Sequence, residues 1–451
     1  MRGVLKMATL FLLTRLVVAT GFAQQPKGNR VLAWQVDVSQ ANDYVTDFQF
    51  ALDACMESAH LFYTWSGIEA DTGAFDSTAL ALLDISNAFY PAYGIKAELQ
   101  LAPINTTTKE TPADLMNLAI DHPRTISRFK TLLDTVFSHI PHIQLSALNI
   151  GNEHDIFFAN NAQEYMAYIT FLDSVVPYAK AKYKSLHAEE LKVGSTFTFG
   201  GLTNQDTKDL CKSVNHGLDI VAVTYYPLNG DFTMKEPTVA ESDFGQLAAL
   251  YPDTAQPLYF VECGYSSSTT CNSSEEKQKQ FFENVFTAWD THANNIKYLT
   301  IFKSTDWSQE TAEGFQAYYG INDIRFVEYL RTLGVRTYEE TGNNKLAYNA
   351  ILCQLSARGW CNQANCTLSS QANQMAAPVL KLFPNPAQEY IQIIAQQPVT
   401  HVELFNASGS LVKTMANNII SIAELPRGLY VAKVCLLNGS TVKKTLVIKG
   451  L

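Results

Sequence analysis

Short apolar runs recur along the first three-quarters of the chain. They are separated by longer stretches whose apolar positions return every three or four residues. The runs cover 31–37, 60–65, 95–104, 143–153, 191–198, 219–227, 257–262 and 296–303. They are rich in β-branched and aromatic residues, which suit a pleated surface. Between them, 114–120, 126–137, 164–175 and 276–289 carry the spacing of helices with one buried face. Eight strands alternating with helices predict an α/β fold, a parallel (β/α)8 TIM barrel. An open doubly wound sheet is the alternative, but neither GxGxxG nor a P-loop follows an early strand.

Past residue 353 the texture changes. Residues 356–378, rich in Asn, Gln, Ser and Ala, read as a linker. From 379 to 451 short alternating segments are divided by Pro384-Asn385-Pro386, Ala407-Ser408-Gly409 and Pro426-Arg427-Gly428, which predicts a small antiparallel β-sandwich. At the other end, Arg2 and Lys6 precede an apolar stretch from Ala8 to Val18, broken by Arg15. Gly21-Phe22-Ala23 then offers small residues for cleavage. Residues 1–23 therefore read as a secretory signal peptide, leaving 24–355 as the barrel domain.

Composition narrows the partners. The 451 residues are 47% hydrophobic and 11% aromatic, enough for a substantial core, with a net charge of -10. No Lys/Arg run is dense enough to track phosphates, so nucleic acid is not an expected partner. Export would permit disulfides among the eight cysteines. Cys263 and Cys271 flank a loop, Cys353, Cys361 and Cys366 cluster late, and the spacing leaves connectivity open. No CxxC pair accompanies them, so no metal is expected. A monomer without a cofactor is the expectation.

The chemistry lies in two carboxylates. Glu153 closes Ala147-Leu148-Asn149-Ile150-Gly151-Asn152-Glu153, the fourth run, and Glu262 closes Leu258-Tyr259-Phe260-Val261-Glu262, the seventh. In a (β/α)8 barrel the strand C-termini form the active face. Two carboxyls there suit glycosidic cleavage: one protonates the leaving oxygen and the other attacks the sugar or activates water. HisXaaHis on the first strand, HExxH and GxSxG are all absent, which argues against metal-dependent and serine hydrolases. Asp155, two residues beyond Glu153, competes for the acid role, and His154 reads as a loop residue. Trp34 in strand one and Trp65 at the end of strand two are candidate sugar platforms.

This arrangement resembles the large clan of retaining glycoside hydrolases in which barrel strands four and seven carry the two glutamates. The resemblance implies that Glu153 is acid/base, Glu262 is nucleophile, and the preceding Asn152 binds a sugar hydroxyl. It also implies an aromatic residue or His near the end of strand six against the nucleophile, and a sugar-stacking Trp after strand eight, here Trp307. Adjacent strand residues face opposite ways, so only one of Tyr225 and Tyr226 should enter the site, and Tyr226 is favoured. Strand six (219–227), strand seven, 326–335 and 345–350 look like the endo-β-1,4-galactanases of glycoside hydrolase family 53, although Val261-Glu262-Cys263-Gly264-Tyr265 departs from that family's nucleophile motif. The implied activity is retaining, endo-type cleavage of β-linked polysaccharide. A non-catalytic glycan-binding protein on the same barrel is the alternative.

The tail resembles the C-terminal sorting domain of the Bacteroidetes type IX secretion system. The matching pieces are Leu382-Phe383-Pro384-Asn385-Pro386-Ala387, then 402–412, 422–434 and Lys444-Thr445-Leu446-Val447-Ile448-Lys449-Gly450. It implies a bacterial protein handed to that machinery and either secreted or held at the outer-membrane surface.

Overall fold

A computed structural model describes residues 24–37, 44–338, 342–361, 380–383, 387–395, 399–406, 410–416, 419–436 and 441–448. The expected signal peptide, most of the expected linker and Cys366 lie outside the described residues. The chain divides into two compact units, Met1–Thr367 and Leu368–Leu451.

In the first unit nine parallel strands fill eight barrel positions: Val31–Trp34, Ser58–Thr64, Lys96–Asn105, Leu145–Asn152, Val193–Gly194 with Thr196–Thr198, Val221–Tyr225, Leu258–Cys263 and Ile296–Ile301. Strand one pairs with strand eight from Val31↔Tyr298 to Trp34↔Ile301. The barrel is nearly closed, and the one interruption falls between the two pieces of strand five. There Ser195 donates from its hydroxyl to the Ile150 carbonyl (2.7 Å). The eight-strand expectation is thus met, with strand five broken in two.

Period-two alternation sorts the side chains. Outward residues such as Leu32, Trp34, Leu99, Leu148 and Phe260 join Phe129, Phe171, Phe281 and Trp289 of the helices in one continuous core. Inward positions low in the barrel are small, aromatic or β-branched: Ala33, Ala147, Ile220, Ala222, Tyr259, Val261 and Tyr298. Above them the interior becomes polar. The Tyr298 hydroxyl donates to Ser58 (2.8 Å), the His60 ring bonds Glu98, and the Asn149 amide donates to Glu98 (2.5 Å). Barrel interiors usually hold branched aliphatics, and this polar column departs from that filling.

The ends of the unit are stitched together. Arg30, just before strand one, donates to Asp290 (2.8 Å). Arg358, just past the last helix (Leu346–Ala357), donates to the same carboxylate at 2.9 and 3.0 Å. All three side chains are buried, and the Arg30 guanidinium lies 5.0 Å from the Trp289 ring centroid. A disulfide joins Cys55 to Cys361. Cys263 and Cys271 are free and buried. No described helix is long and apolar enough to cross a membrane.

The second unit contains two antiparallel sheets. One holds Leu380–Phe383, Tyr390–Ala395 and Ile419–Ser421, and the other Val399–Asn406, Leu411–Met415, Gly428–Leu436 and Thr441–Ile448. Ile391, Ile393, Val402, Leu404, Ile420, Val434 and Leu446 form its core.

Removing one member of a buried charge cluster leaves its partners uncompensated. Asp290→Ala strands Arg30 and Arg358, and is expected to cost roughly 3–5 kcal/mol. Chemical denaturation of the full chain, followed by tryptophan fluorescence, should show the barrel transition at lower denaturant.

Candidate active site

Both carboxylates are set by unusual backbone next to a glycine. Gly151 has φ +83° and Glu153 has φ +46°, left-handed values that cost a non-glycine residue strain. A Cβ at Gly151 would lie 2.4 Å from the Tyr168 hydroxyl. The turn lifts Glu153 out of strand four just before the short helix His154–Phe158. In strand seven the register slips between Phe260 and Glu262, so that Thr224 of strand six lies beside Glu262. Such a slip re-aims a side chain. A Cβ at Gly264 would meet the Phe302 carbonyl at 2.5 Å and the Tyr226 ring at 2.7 Å, so the chain passes close under the ring that contacts Glu262.

Strand six links the two acids. Its Thr224 hydroxyl donates to Glu153 (2.6 Å) while standing in register with Glu262. Thr106, just past strand three, donates to the other oxygen of Glu153 (2.9 Å). The Tyr226 hydroxyl donates to Glu262 (2.5 Å). Tyr225 faces the other way, into the helical layer, and donates to Asp243 (2.8 Å).

Electrostatics bind the pair further. Burial raises Glu262 to about 7, and the neighbouring Glu153 pushes in the same direction, while His60 and the Tyr226 hydroxyl pull it back. Burial also raises Glu153, against the Thr224 and Thr106 hydrogen bonds. Burial alone would lower His60, but Glu98 reverses this and holds the imidazole above its usual range. Two buried, coupled carboxyls near neutral pH share a proton rather than both ionising. His60 and the Tyr226 phenol favour the ionised form of Glu262, whereas the Thr224 and Thr106 hydroxyls hold Glu153.

The remaining candidates divide. Asn152 is buried and donates to Asn105 (2.9 Å). Trp307 is half-buried; its indole donates to Asp37 (2.8 Å), and the Lys303 ammonium lies 4.1 Å from its ring centroid. Trp34 and Trp65 offer no face to a sugar, because both are fully buried. Trp34 points outward against Phe50, as period two requires with Ala33 facing inward. Trp65 packs edge-on to Phe129 and donates to Glu69 (3.0 Å). Asp155 accepts from the Thr198 amide (2.9 Å) and hydroxyl (2.6 Å), which anchors strand five. His154 is packed among Phe158, Tyr168 and Phe197.

Several site residues escaped the sequence reading. Thr224 lies two residues before Tyr226, so alternation alone would have put both on the inner face. Tyr319 and Tyr329 had no such signal. They lie on helices after strand eight, Gln309–Tyr319 and Ile324–Arg331, whose spacing reads as ordinary amphipathic structure. The charges of Glu153 and Glu262 both push Tyr329 further above its ordinary range, beyond the effect of burial, and Tyr329 packs edge-on to Tyr226.

Known proteins bear on both units. Residues 381–449 match the family described as the secretion system C-terminal sorting domain, the tail of type IX export, which indicates secretion or attachment at the cell surface. No curated protein matches the sequence. Among solved structures, a GH5_18 protein from Streptomyces cattleya in complex with GlcNAc aligns with TM-score 0.56 and 12% identity, over 73% of this chain and 81% of that one. The exo-beta-1,4-mannosidase Op5Man5 from Opitutaceae bacterium strain TAV5 aligns with TM-score 0.53 and 12% identity, over 73% and 59%. Bacteroides uniformis beta-glucuronidase 2 aligns with TM-score 0.46 and 14% identity over 94% of this chain, which spans only 46% of that protein. At these identities the likeness is one of fold, a barrel shared with glycoside hydrolases.

The coupling is directly measurable. Glu153→Gln removes the like charge, so Glu262 should titrate below about 7 when followed by carboxyl carbon NMR. Stability carries the same signature. The folded Glu262 carboxyl keeps its proton to about pH 7, against an ordinary value of 4.5. Its favourable contribution is complete below the lower value and lost as pH rises through the upper. Glu262→Gln should therefore raise the melting temperature more at alkaline than at acidic pH.

Proposed function

We propose that this protein is an exported glycoside hydrolase that cleaves β-linked glycans with retention of configuration. The supporting observation is the strand-six bridge: Thr224 bonds Glu153 and lies in register beside Glu262, while Tyr226 bonds Glu262. In this reading residues 1–23 are removed as a signal peptide, 24–355 form the catalytic domain, and the tail delivers it to the type IX machinery.

Glu262, ionised and oriented by Tyr226, attacks the anomeric carbon as the protonated Glu153 gives its proton to the departing glycosidic oxygen. The carbon–oxygen bond to the leaving sugar breaks and a glycosyl ester forms on Glu262. Glu153, now a carboxylate, takes a proton from an incoming water. The water oxygen then attacks the same carbon and frees Glu262. Two inversions give net retention. In this reading Trp307 supplies an apolar ring for a sugar face, and Asn152 binds a sugar hydroxyl. The resemblance to family 53 makes galactan a first substrate to try, with β-mannans and β-glucans beside it.

Glu262→Ala should reduce turnover roughly 10⁴-fold. Azide, small enough to fill the vacated space, should restore activity and yield a glycosyl azide of inverted configuration. Glu153→Ala with azide should yield the retained product, because there the covalent intermediate still forms. Full activity of Glu262→Ala on every cleaved glycan would exclude the mechanism, and binding without turnover would indicate a glycan-binding protein.

The pH profile offers a separate check. The acid limb reports ionisation of Glu262 and the basic limb loss of the Glu153 proton. Tyr226→Phe removes a donor that favours the ionised form of Glu262, so the acid limb of kcat/KM should move to higher pH.

A further inference from the structure

The segment that follows strand eight does not stay on its own side of the barrel. Tyr318 and Tyr319, at the end of its first helix, reach residues just past strand three. The Tyr318 hydroxyl accepts from the Asn105 amide (3.2 Å) and donates to Glu110 (2.5 Å). The Tyr319 hydroxyl meets that of Thr106 (3.4 Å), the same Thr106 that holds Glu153. Asn105 and Glu110 flank a short hairpin in which Asn105 pairs with Thr108 and Ile104 with Lys109.

Glu110 extends the contact to a third loop. Ser66, just past strand two, donates to it from its hydroxyl, and the Ser66 amide donates to the Glu110 carbonyl (2.8 Å). The loops after strands two, three and eight thus converge on one carboxylate. The interval between strands eight and two is filled as well. Asp37, just past strand one, accepts from Lys303 (3.2 Å) and Trp307 (2.8 Å), and the Thr305 hydroxyl donates to Asp47 (2.5 Å).

Strand order turns these contacts into a shape. Strands eight, one, two and three are consecutive around the barrel, so a bridge from the loop after eight to the loop after three walls off that side of the mouth. A polysaccharide cut at an internal bond must lie across the whole mouth, with sugars on both sides of the carboxylates. A wall on one side leaves room only for a chain end.

Resting on the hydrolytic reading above, we propose that the site is a pocket closed over strands eight, one, two and three. It takes a β-linked glycan by its end and releases a short terminal unit. This departs from the endo-type cleavage implied by the sequence resemblance.

The test sizes the products. The full-length protein is incubated with β-linked oligosaccharides of increasing length and with the parent polymers, and products are followed by mass spectrometry and viscometry. One product of constant length from the first time point, with slow loss of viscosity, is the expected result. A spread of lengths with rapid loss of viscosity would overturn the pocket while leaving the hydrolase intact. If no glycan is cut, the hydrolytic reading fails and the pocket is judged by calorimetric binding of the same oligosaccharides. Affinity that levels off after about one or two sugar units supports it. Affinity that keeps rising with length, or no binding at all, overturns it.

Glu110→Ala gives a second readout. It removes the side-chain contacts to Ser66 and Tyr318 without touching either glutamate. The fraction of longer products should rise about tenfold, with hydrolysis of an aryl monoglycoside within about twofold of the parent. Unchanged product lengths from a folded variant would refute the wall.

Discussion

Two carboxyl groups removed from water beside each other cannot both carry charge cheaply, and the site follows from that constraint. Burial raises both Glu153 and Glu262, and the Glu153 charge makes ionisation of Glu262 harder still. What separates them is the surroundings. Glu262 faces a phenol donor and, through the barrel interior, the His60–Glu98 pair; Glu153 faces two threonine hydroxyls. That asymmetry of neighbours is what distinguishes the two carboxyls on an otherwise symmetric scaffold. It also explains a barrel axis that is polar where aliphatic side chains would pack more simply.

The scaffold bears that cost through closure. Strand one meets strand eight, which leaves the barrel interrupted only within strand five, and here the chain ends are held as well. Arg30 and Arg358 converge on Asp290, and the Cys55–Cys361 disulfide joins the first helix region to the end of the last. Strand ends held by such a frame can keep a left-handed Glu153 in place, because the surrounding packing over-determines the turn.

Much of the site was legible in the chain. The positions of Glu153 and Glu262 follow from counting apolar runs, and period two requires that only one of Tyr225 and Tyr226 face inward. The same rule, applied to Trp34 beside the inward Ala33, would have turned its indole away from the site. Trp65 fails for a different reason: the chain turns into a short helix there (Trp65–Ile68), and its ring goes under Phe129. Tyr329 and Tyr319 were illegible because a helical stretch shows which face is apolar but not what that face meets.

The sequence by itself determined the alternation of strands and helices, the order of the two glutamates along the barrel and the sorting tail. Each is written in local spacing or in a contiguous motif. Tertiary structure alone decided which hydroxyls hold the acids, how far burial raises them, and that the segment after strand eight crosses to strand three. The Asn105–Tyr318 and Thr106–Tyr319 contacts each join residues 213 positions apart. No periodicity reaches that far: side-chain repeats report a residue's own element, and only the closed barrel brings distant elements within hydrogen-bonding distance.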